Sequence, residues 1–323
     1  MRLLAVGGTI SMLGERAVPT LDADALLEYV PGLAAVPGLQ AETLLGVPGA
    51  QLTLAQALEV ADRAAETTAA GDGVVITTGT DTLEELAVLC ALLARGQAPI
   101  VLTGANRPSS RPGADGGANL LDAVAVAGAR QAAALGALVV FGGEIHDAMT
   151  VRKVDSTGPA AFASPITGPL GRVVEGRVWI HARPVRPAQL SVPALTHRVY
   201  TVTAGLGDDG ALLDAIEDRA DGLVVVALGA GHLPPMMMSG LRRVASRLPV
   251  VITCRPERAS MLFETYGFEG SEADLRTSEA LCAPFLSAAA ARMMLLACLG
   301  AGLDREGIAA TFAPWDAGGP LAD

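Results

Sequence analysis

Three short stretches of this sequence set threonine hydroxyls beside glycine: Gly7-Gly8-Thr9-Ile10-Ser11, Thr77-Thr78-Gly79-Thr80-Asp81-Thr82 and Thr103-Gly104-Ala105-Asn106-Arg107-Pro108. A hydroxyl is a weak nucleophile until a neighbouring base takes its proton. The sequence offers one unusual candidate for that base. Among 23 Lys plus Arg, Lys153 is the only lysine. Arginine stays protonated in proteins, whereas a lysine amine can be deprotonated in a suitable environment. A neutral Lys153 amine can therefore accept a proton from a threonine hydroxyl. A plainer reading of the same residues is also open: threonines and Asp81 acting as helix caps, and a lysine kept by chance on a loop.

The elements that would position these residues can be read from the apolar pattern. Short β-rich runs alternate with helical patterns, which predicts an α/β protein with mostly parallel sheets. Strands are expected at Arg2–Val6, Thr43–Val47, Gly73–Thr77, Ile100–Thr103, Ala137–Phe141 and Arg177–Ile180. Helices are expected over Leu54–Thr68, capped by Thr53, over Leu83–Ala94, opened by Asp81 or Thr82, and from Gly117 to Arg130. The three threonine turns then fall at the carboxyl ends of strands, where parallel sheets bind ligands. Thr80 and Asp81 stand at a helix N-terminus, whose free N–H groups favour an anion or a developing oxyanion.

Near residue 185 the texture becomes proline-rich, in Arg183-Pro184-Val185-Arg186-Pro187 and on to Pro193, and the α/β pattern then resumes. The expectation is a larger N-terminal domain over 1–186, a linker over 187–197 and a smaller C-terminal α/β domain over 198–323. In the second domain, strands are expected at Val199–Val202, Gly222–Leu228 and Pro249–Thr253, and helices around Ala211–Arg219, Met236–Ser246 and Ser287–Leu299.

Composition narrows the function. The 323-residue chain is 51% hydrophobic and 18% charged, so it packs as a globular protein. A net charge of −11 argues against a nucleic-acid partner, because phosphate binding needs a basic face. Apolar runs break well before the roughly 20 residues of a membrane span, so no membrane partner is expected. The N-terminus reads as a first strand rather than a secretory leader, and Cys90, Cys254, Cys282 and Cys298 read as buried free thiols. Together these point to the cytoplasm. The four histidines and the cysteines lack metal-ligand spacing, and no P-loop or G-x-S-x-G elbow occurs, so no metal or cofactor is expected. His232 follows an expected strand and reads as a turn residue.

With these residues in view, the chain resembles the bacterial-type L-asparaginases over essentially its whole length. Gly7-Gly8-Thr9-Ile10-Ser11 is similar to the family's first threonine signature, and Thr78-Gly79-Thr80-Asp81-Thr82-Leu83-Glu84-Glu85 to its second. Gly104-Ala105-Asn106-Arg107-Pro108 with Ala114-Asp115-Gly116, Val151-Arg152-Lys153, and Tyr266-Gly267-Phe268-Glu269-Gly270-Ser271-Glu272 resemble further segments of the family. The resemblance implies an amidohydrolase acting on a small amide, most simply L-asparagine, through an acyl-enzyme. It implies that Thr9 is the nucleophile, with Thr80, Lys153 and Asp81 as a second hydroxyl–amine–carboxylate group. It also implies a homodimer or homotetramer in which Glu272 completes a neighbouring subunit's site.

Two departures bear on substrate. The family's loop tyrosine is missing: Arg16 or Ala17 holds its place, and no tyrosine lies between Thr9 and Tyr29. After the second strand, Gly49 stands where the serine that meets the substrate α-carboxylate is expected, followed by Ala50. Gly8, Gly79, Gly49, Ala50 and Glu272 are the expected substrate-binding positions, joined by Arg16 as a possible carboxylate partner. The departures leave two other functions open: hydrolysis of a modified or larger amide, and a catalytically weak homologue that binds a small amino acid or serves an amidotransferase partner.

Overall fold

Runs that are apolar on both faces become the central strands of a sheet covered by helices on each side, as parallel strands must be. The computed structural model describes residues 1–14 and 18–316, so Arg16 lies outside the described residues. The chain divides into two units, Met1–Gln189 and Leu190–Asp323.

The first unit runs β1 (Arg2–Gly7), β2 (Met12–Leu13), β3 (Val18–Pro19), α1 (Ala23–Tyr29), β4 (Gln40–Val47), α2 (Leu54–Ala69), β5 (Val74–Thr77), α3 (Leu83–Leu93), β6 (Ile100–Thr103) and α4 (Gly116–Ala127). It continues with β7 (Ala137–Phe141), β8 (Glu144–Asp147), β9 (Arg152–Lys153), β10 (Phe162–Ala163), β11 (Gly171–Val174) and β12 (Arg177–Ile180). Its main sheet has the order β12-β11-β8-β7-β6-β5-β1-β4. The β4-β1-β5-β6-β7 portion is parallel, and β8, β11 and β12 extend it antiparallel.

That antiparallel end shows how far periodicity reads. Arg177–Ile180 was legible as a strand, but Glu144–Asp147 (Glu-Ile-His-Asp) is too polar to look like one. Gly142 (φ +58) and Gly143 (φ +78) turn β7 directly into β8, and Glu175 (φ +50) with Gly176 (φ +71) turns β11 into β12. Pairs of residues with positive φ are what tight hairpins need, because their twist matches that of the strands.

Helices start where polar caps allow. Thr53 and Gln56 form a reciprocal capping box at α2: the Gln56 N–H donates to Thr53 Oγ1, and Gln56 Oε1 accepts from the Thr53 N–H. Beyond Glu84 and Glu85, α3 is apolar all round and lies buried. The core here is aliphatic, with Leu3, Val75, Val101, Leu120, Leu138 and Val140 among its fully buried side chains.

The second unit runs β13 (Val199–Thr203), α5 (Ala211–Ile216), β14 (Gly222–Ala227), α6 (Pro235–Arg247), β15 (Val250–Cys254), α7 (Glu272–Leu275), β16 (Leu281–Cys282), α8 (Ala288–Gly300) and α9 (Arg305–Phe312). Its four strands form one parallel sheet in the order β13-β14-β15-β16. Among the described residues, no helix is long and apolar enough to cross a membrane.

Candidate active site

The sheet order dictates where a site can form. From β1 the chain passes to β4 on one side, then returns through α2 to β5 on the other. Loops leaving the carboxyl ends of β4, β1 and β5 therefore meet at the point where strand order reverses, the place where open α/β sheets bind ligands. These loops carry Gly49, Gly8-Thr9 and Gly79-Thr80.

Three glycines lock the loops together. A Cβ on Gly8 would lie 2.3 Å from Gly79 N and 2.5 Å from Gly79 Cα. A Cβ on Gly79 would lie 2.5 Å from both Gly49 N and Gly49 Cα, and one on Gly49 would lie 3.1 Å from Gly79 Cα. The three backbones are thus in contact, at distances that only glycine permits for Gly8 and Gly79 and that leave Gly49 little room for a side chain. The Thr82 hydroxyl adds a bond to Gly49 O (3.1 Å), and Gly8 N–H donates to Val47 O (3.0 Å). The loop after β6 joins the cluster: Gly104 comes so close to Thr78 O that a Cβ there would sit 2.6 Å away. Thr9 and Thr80 each follow a glycine of this knot, which ties their positions to one another. Gly49, expected in place of a serine, is buried and pinned by Gly79, while Ala50 beside it is exposed.

Lysine and threonine meet at the mouth of α3. Lys153 Nζ donates to Thr80 Oγ1 (2.9 Å) and to Asp81 Oδ1 (3.0 Å). Thr80 is 6% exposed, whereas the Asp81 side chain is 64% exposed and the Lys153 side chain 20% exposed. Buried hydroxyl, half-covered amine and open carboxylate thus grade from interior to solvent. Glu84, in the first turn of α3, accepts the backbone N–H of Lys153 on Oε2 (3.2 Å). Burial raises the Glu84 carboxyl above its usual range, and the Lys153 N–H works against that rise. Sequence reasoning placed Glu84 inside a motif but gave it no role. The available signal was its charge at the head of an otherwise apolar helix.

Lys153 reaches this point on β9, after a tight turn. Asp147 Oδ1 accepts from Met149 N–H (3.1 Å), Thr150 Oγ1 donates to Asp147 Oδ2 (3.4 Å), and Asp147 O accepts from Val151 N–H (3.0 Å). Burial pushes the Asp147 carboxyl up to about 6, against the pull of the Met149 N–H and the Thr150 hydroxyl. The adjacent His146 is fully buried with Nδ1 3.1 Å from Ser164 Oγ. Burial lowers its pKa to about 4, against the pull of the Glu144 carboxylate.

The loop after β6 is braced separately. Asp115 accepts the backbone N–H groups of Asn106 and Arg107 (3.1 and 2.9 Å). Buried Asn119 donates to Gly104 O (3.0 Å) and accepts from Gly142 N–H (3.0 Å), and Asn106 Nδ2 donates to Gly158 O (2.8 Å). The Tyr29 hydroxyl donates to Ser109 O (3.2 Å).

Within the second unit, Glu272 is fully buried with both oxygens engaged. Oε1 accepts from Thr265 N–H (2.9 Å) and Tyr266 N–H (2.8 Å), and Oε2 lies 3.1 Å from His232 Nε2. Burial opposes its charge, but the N–H groups of Tyr266, Glu272 itself and Thr265, together with His232, outweigh it and lower the pKa. The rings of Tyr266 and Phe268 stand edge-on to His232 at 5.2 Å each, half-exposed. Among the described residues, no group of three His, Cys, Asp or Glu is placed to hold a metal ion.

A hydroxyl, an amine and a carboxylate thus meet at a strand-order reversal, where open α/β sheets bind ligands. Comparison with known proteins identifies the class. Residues 1–186 match the family model "Asparaginase, N-terminal", and residues 198–312 match "Glutaminase/Asparaginase C-terminal domain". The chain is 36% identical over 321 residues to a "Probable L-asparaginase" of Deinococcus radiodurans, covering 97% of this chain and 96% of that one. "L-asparaginase 2" of Bacillus subtilis is 29% identical, covering 97% and 85%. The crystal structure of a "Probable Cytoplasmic L-asparaginase" from Campylobacter jejuni superposes with a TM-score of 0.83 at 30% identity, covering 96% of this chain and 98% of that one. The chain belongs to the asparaginase family and is an asparaginase-type amidohydrolase.

Proposed function

We propose that this enzyme hydrolyses the side-chain amide of L-asparagine to L-aspartate and ammonia, with Thr9 as nucleophile and an acyl-threonine intermediate. The observation that carries this reading is the 2.9 Å contact of the sole lysine with Thr80 Oγ1, with Asp81 3.0 Å from the same nitrogen. With Lys153 neutral, the direction of its bond to Thr80 reverses, and the amine accepts the hydroxyl proton. Thr9 Oγ adds to the amide carbon as its proton passes to Thr80, whose own proton Lys153 has taken; Lys153 gives that proton to the departing NH2, the C–N bond breaks and ammonia leaves. Water then adds to the ester, releasing the carboxylate and restoring Thr9. Backbone N–H groups at the head of α3 face the developing oxyanion. Gly8 and Gly79 let the backbone approach the substrate closely, and Asp81 orients it.

Assembly as a homodimer or homotetramer, in which the Tyr266–Glu272 segment braced by the buried Glu272 carboxylate completes a neighbouring site, belongs to the same proposal. It is supported by the family resemblance around Tyr266–Glu272 and by the half-exposed rings of Tyr266 and Phe268. A cytoplasmic setting is supported by four buried free cysteines and by the likeness to the probable cytoplasmic enzyme of Campylobacter jejuni. The two family segments, 1–186 and 198–312, leave 187–197 as the proposed linker.

A second reading, a modified or larger amide as substrate, is favoured by the segment after β4: Gly49 is pinned against Gly79, and Ala50 brings no hydroxyl to an α-carboxylate. Ammonia release measured over L-asparagine, D-asparagine, L-glutamine and α-blocked asparagine derivatives separates the two. Turnover highest on L-asparagine supports the first reading. Turnover confined to blocked or larger amides selects the second and overturns the first.

A further inference from the structure

The catalytic lysine is gripped at both ends by one short piece of chain. Its amine meets Thr80 and Asp81, and its backbone N–H meets the Glu84 carboxylate. These three partners lie between residues 80 and 84, where the loop after β5 enters α3. That helix is anchored by Leu83, Leu86, Ala87 and Leu89, all essentially buried. Lysine has a long flexible stem that loses rotamer freedom when held. Fixing the amine alone leaves the root of the stem free to shift with its strand. Fixing the root on the same turn that carries Thr80 makes the distance from Lys153 Nζ to Thr80 Oγ1 a property of one rigid element.

The placement of Glu84 is costly without such a role. It is the first charged residue of a helix whose later turns are wholly buried, and its own burial disfavours its charge. A carboxylate in the first helical turn gains from the helix dipole, but that gain does not require Glu84 to reach across to the backbone of another strand. We propose that Glu84 is the positioning residue of Lys153: its Oε2 holds the lysine's main chain so that the amine stays within proton-transfer distance of Thr80. This rests on the assignment of Lys153 as catalytic base, and it adds the residue that sets the base's geometry.

Because Lys153 is the only lysine, amine-directed chemistry can report its environment with no substrate present. The test compares Glu84→Ala and Glu84→Gln with wild type in two assays. In the first, Lys153 is acetylated with N-hydroxysuccinimidyl acetate, and the rate is read by mass spectrometry of the peptide that contains it. Glu84→Ala is expected to change that rate by threefold or more, while Glu84→Gln, which keeps an acceptor oxygen, stays within about twofold of wild type. In the second, Glu84→Ala lowers kcat by about tenfold with KM changed less than about threefold, and Glu84→Gln recovers most of kcat.

An unchanged acetylation rate in Glu84→Ala overturns the proposal, as does a loss carried by KM rather than kcat. Equal impairment of the two variants overturns it too, since the glutamine keeps the acceptor. If wild type hydrolyses no amide at all, the functional reading fails by itself, and the acetylation rates still decide whether Glu84 holds Lys153.

Discussion

Replacing Gly8 by alanine tests the glycine knot that joins the two threonine turns. Gly8 has φ +81° and ψ −176°, a region essentially closed to residues with a side chain and costing about 1–3 kcal/mol to enforce. The new Cβ would also lie 2.3 Å from Gly79 N and 2.5 Å from Gly79 Cα. Comfortable separation of such atoms is about 3.5 Å, so the Gly79 segment must retreat by roughly 1 Å. Both contacts are with backbone, so no flexible side chain can give way. Thr80 is the next residue and must move with it, away from the knot that fixes it relative to Thr9. A displacement of about 1 Å in a reacting group costs on the order of 100-fold in rate. We therefore expect kcat to fall about 100-fold, and Tm to fall by about 2–12 °C, from about 1–3 kcal/mol at about 2–4 °C per kcal/mol. Gly46→Ala is the control, because a Cβ there meets nothing within 4 Å. Ammonia release and thermal unfolding of both variants provide the readouts. A Gly8→Ala protein with kcat within about threefold of wild type refutes the argument that these backbones must touch for catalysis.

Three further outcomes follow from the same geometry. Gly49→Ser, which places a Cβ 3.1–3.2 Å from Gly79, is expected to lower kcat about tenfold by displacing the turn before Thr80; wild-type kcat in this variant contradicts it. His146 has a pKa depressed from 6.5 to about 4 in the fold, so the unfolded chain takes up its proton first and stability falls as pH drops from 6.5 to 4, by about 3 kcal/mol at most. His146→Gln should flatten that decline in Tm against pH, and an unchanged slope would count against the assignment. Asp147 runs the other way: its pKa is raised from 3.8 to about 6, so stability falls as pH rises from 3.8 to 6, again by about 3 kcal/mol at most. Asp147→Asn keeps an acceptor for Met149 N–H and should gain stability relative to wild type above pH 6; a loss there, followed by denaturant titration at pH 7.5, would show that the second oxygen matters more than the buried charge.

The strands that carry the site were legible because they are buried on both faces. Val74–Thr77, Ile100–Thr103 and Ala137–Phe141 are unbroken apolar runs, and the turns after β1, β5 and β6 announce themselves by threonine and glycine. Lys153 stood out because the chain otherwise uses arginine for its positive charge. Less was legible where a residue's role depends on what it meets across the fold. Gly49 was read as standing in place of a serine, and only the fold shows how close its backbone lies to that of Gly79, thirty residues away in sequence. Glu84 stood inside a motif without a role of its own, and only the fold brings the backbone of Lys153 to it. The polar strand Glu144–Asp147 hid from an apolar template because its hydrogen bonds, not its side-chain pattern, make it a strand. His146 and Asp147 were likewise silent in sequence, since their shifted pKa values come from burial that no local pattern records. Glu272 was singled out only by resemblance, and its engagement by His232, Thr265 and Tyr266 is a product of the folded second unit.

If the lysine–threonine–aspartate contact drives the proposed amide hydrolysis, removing either the amine or the hydroxyl must abolish it. Ammonia release from L-asparagine by Lys153→Met and Thr80→Val, beside wild type, tests it most directly. The methionine keeps much of the lysine's apolar stem and removes the amine, and the valine keeps the shape of the threonine and removes the hydroxyl. Wild type is expected to turn over measurably and both variants to lose at least about 1000-fold in kcat, with the fold retained. A Lys153→Met enzyme that turns over within about tenfold of wild type would contradict it, because the reaction would then proceed without the base to which the site is assigned.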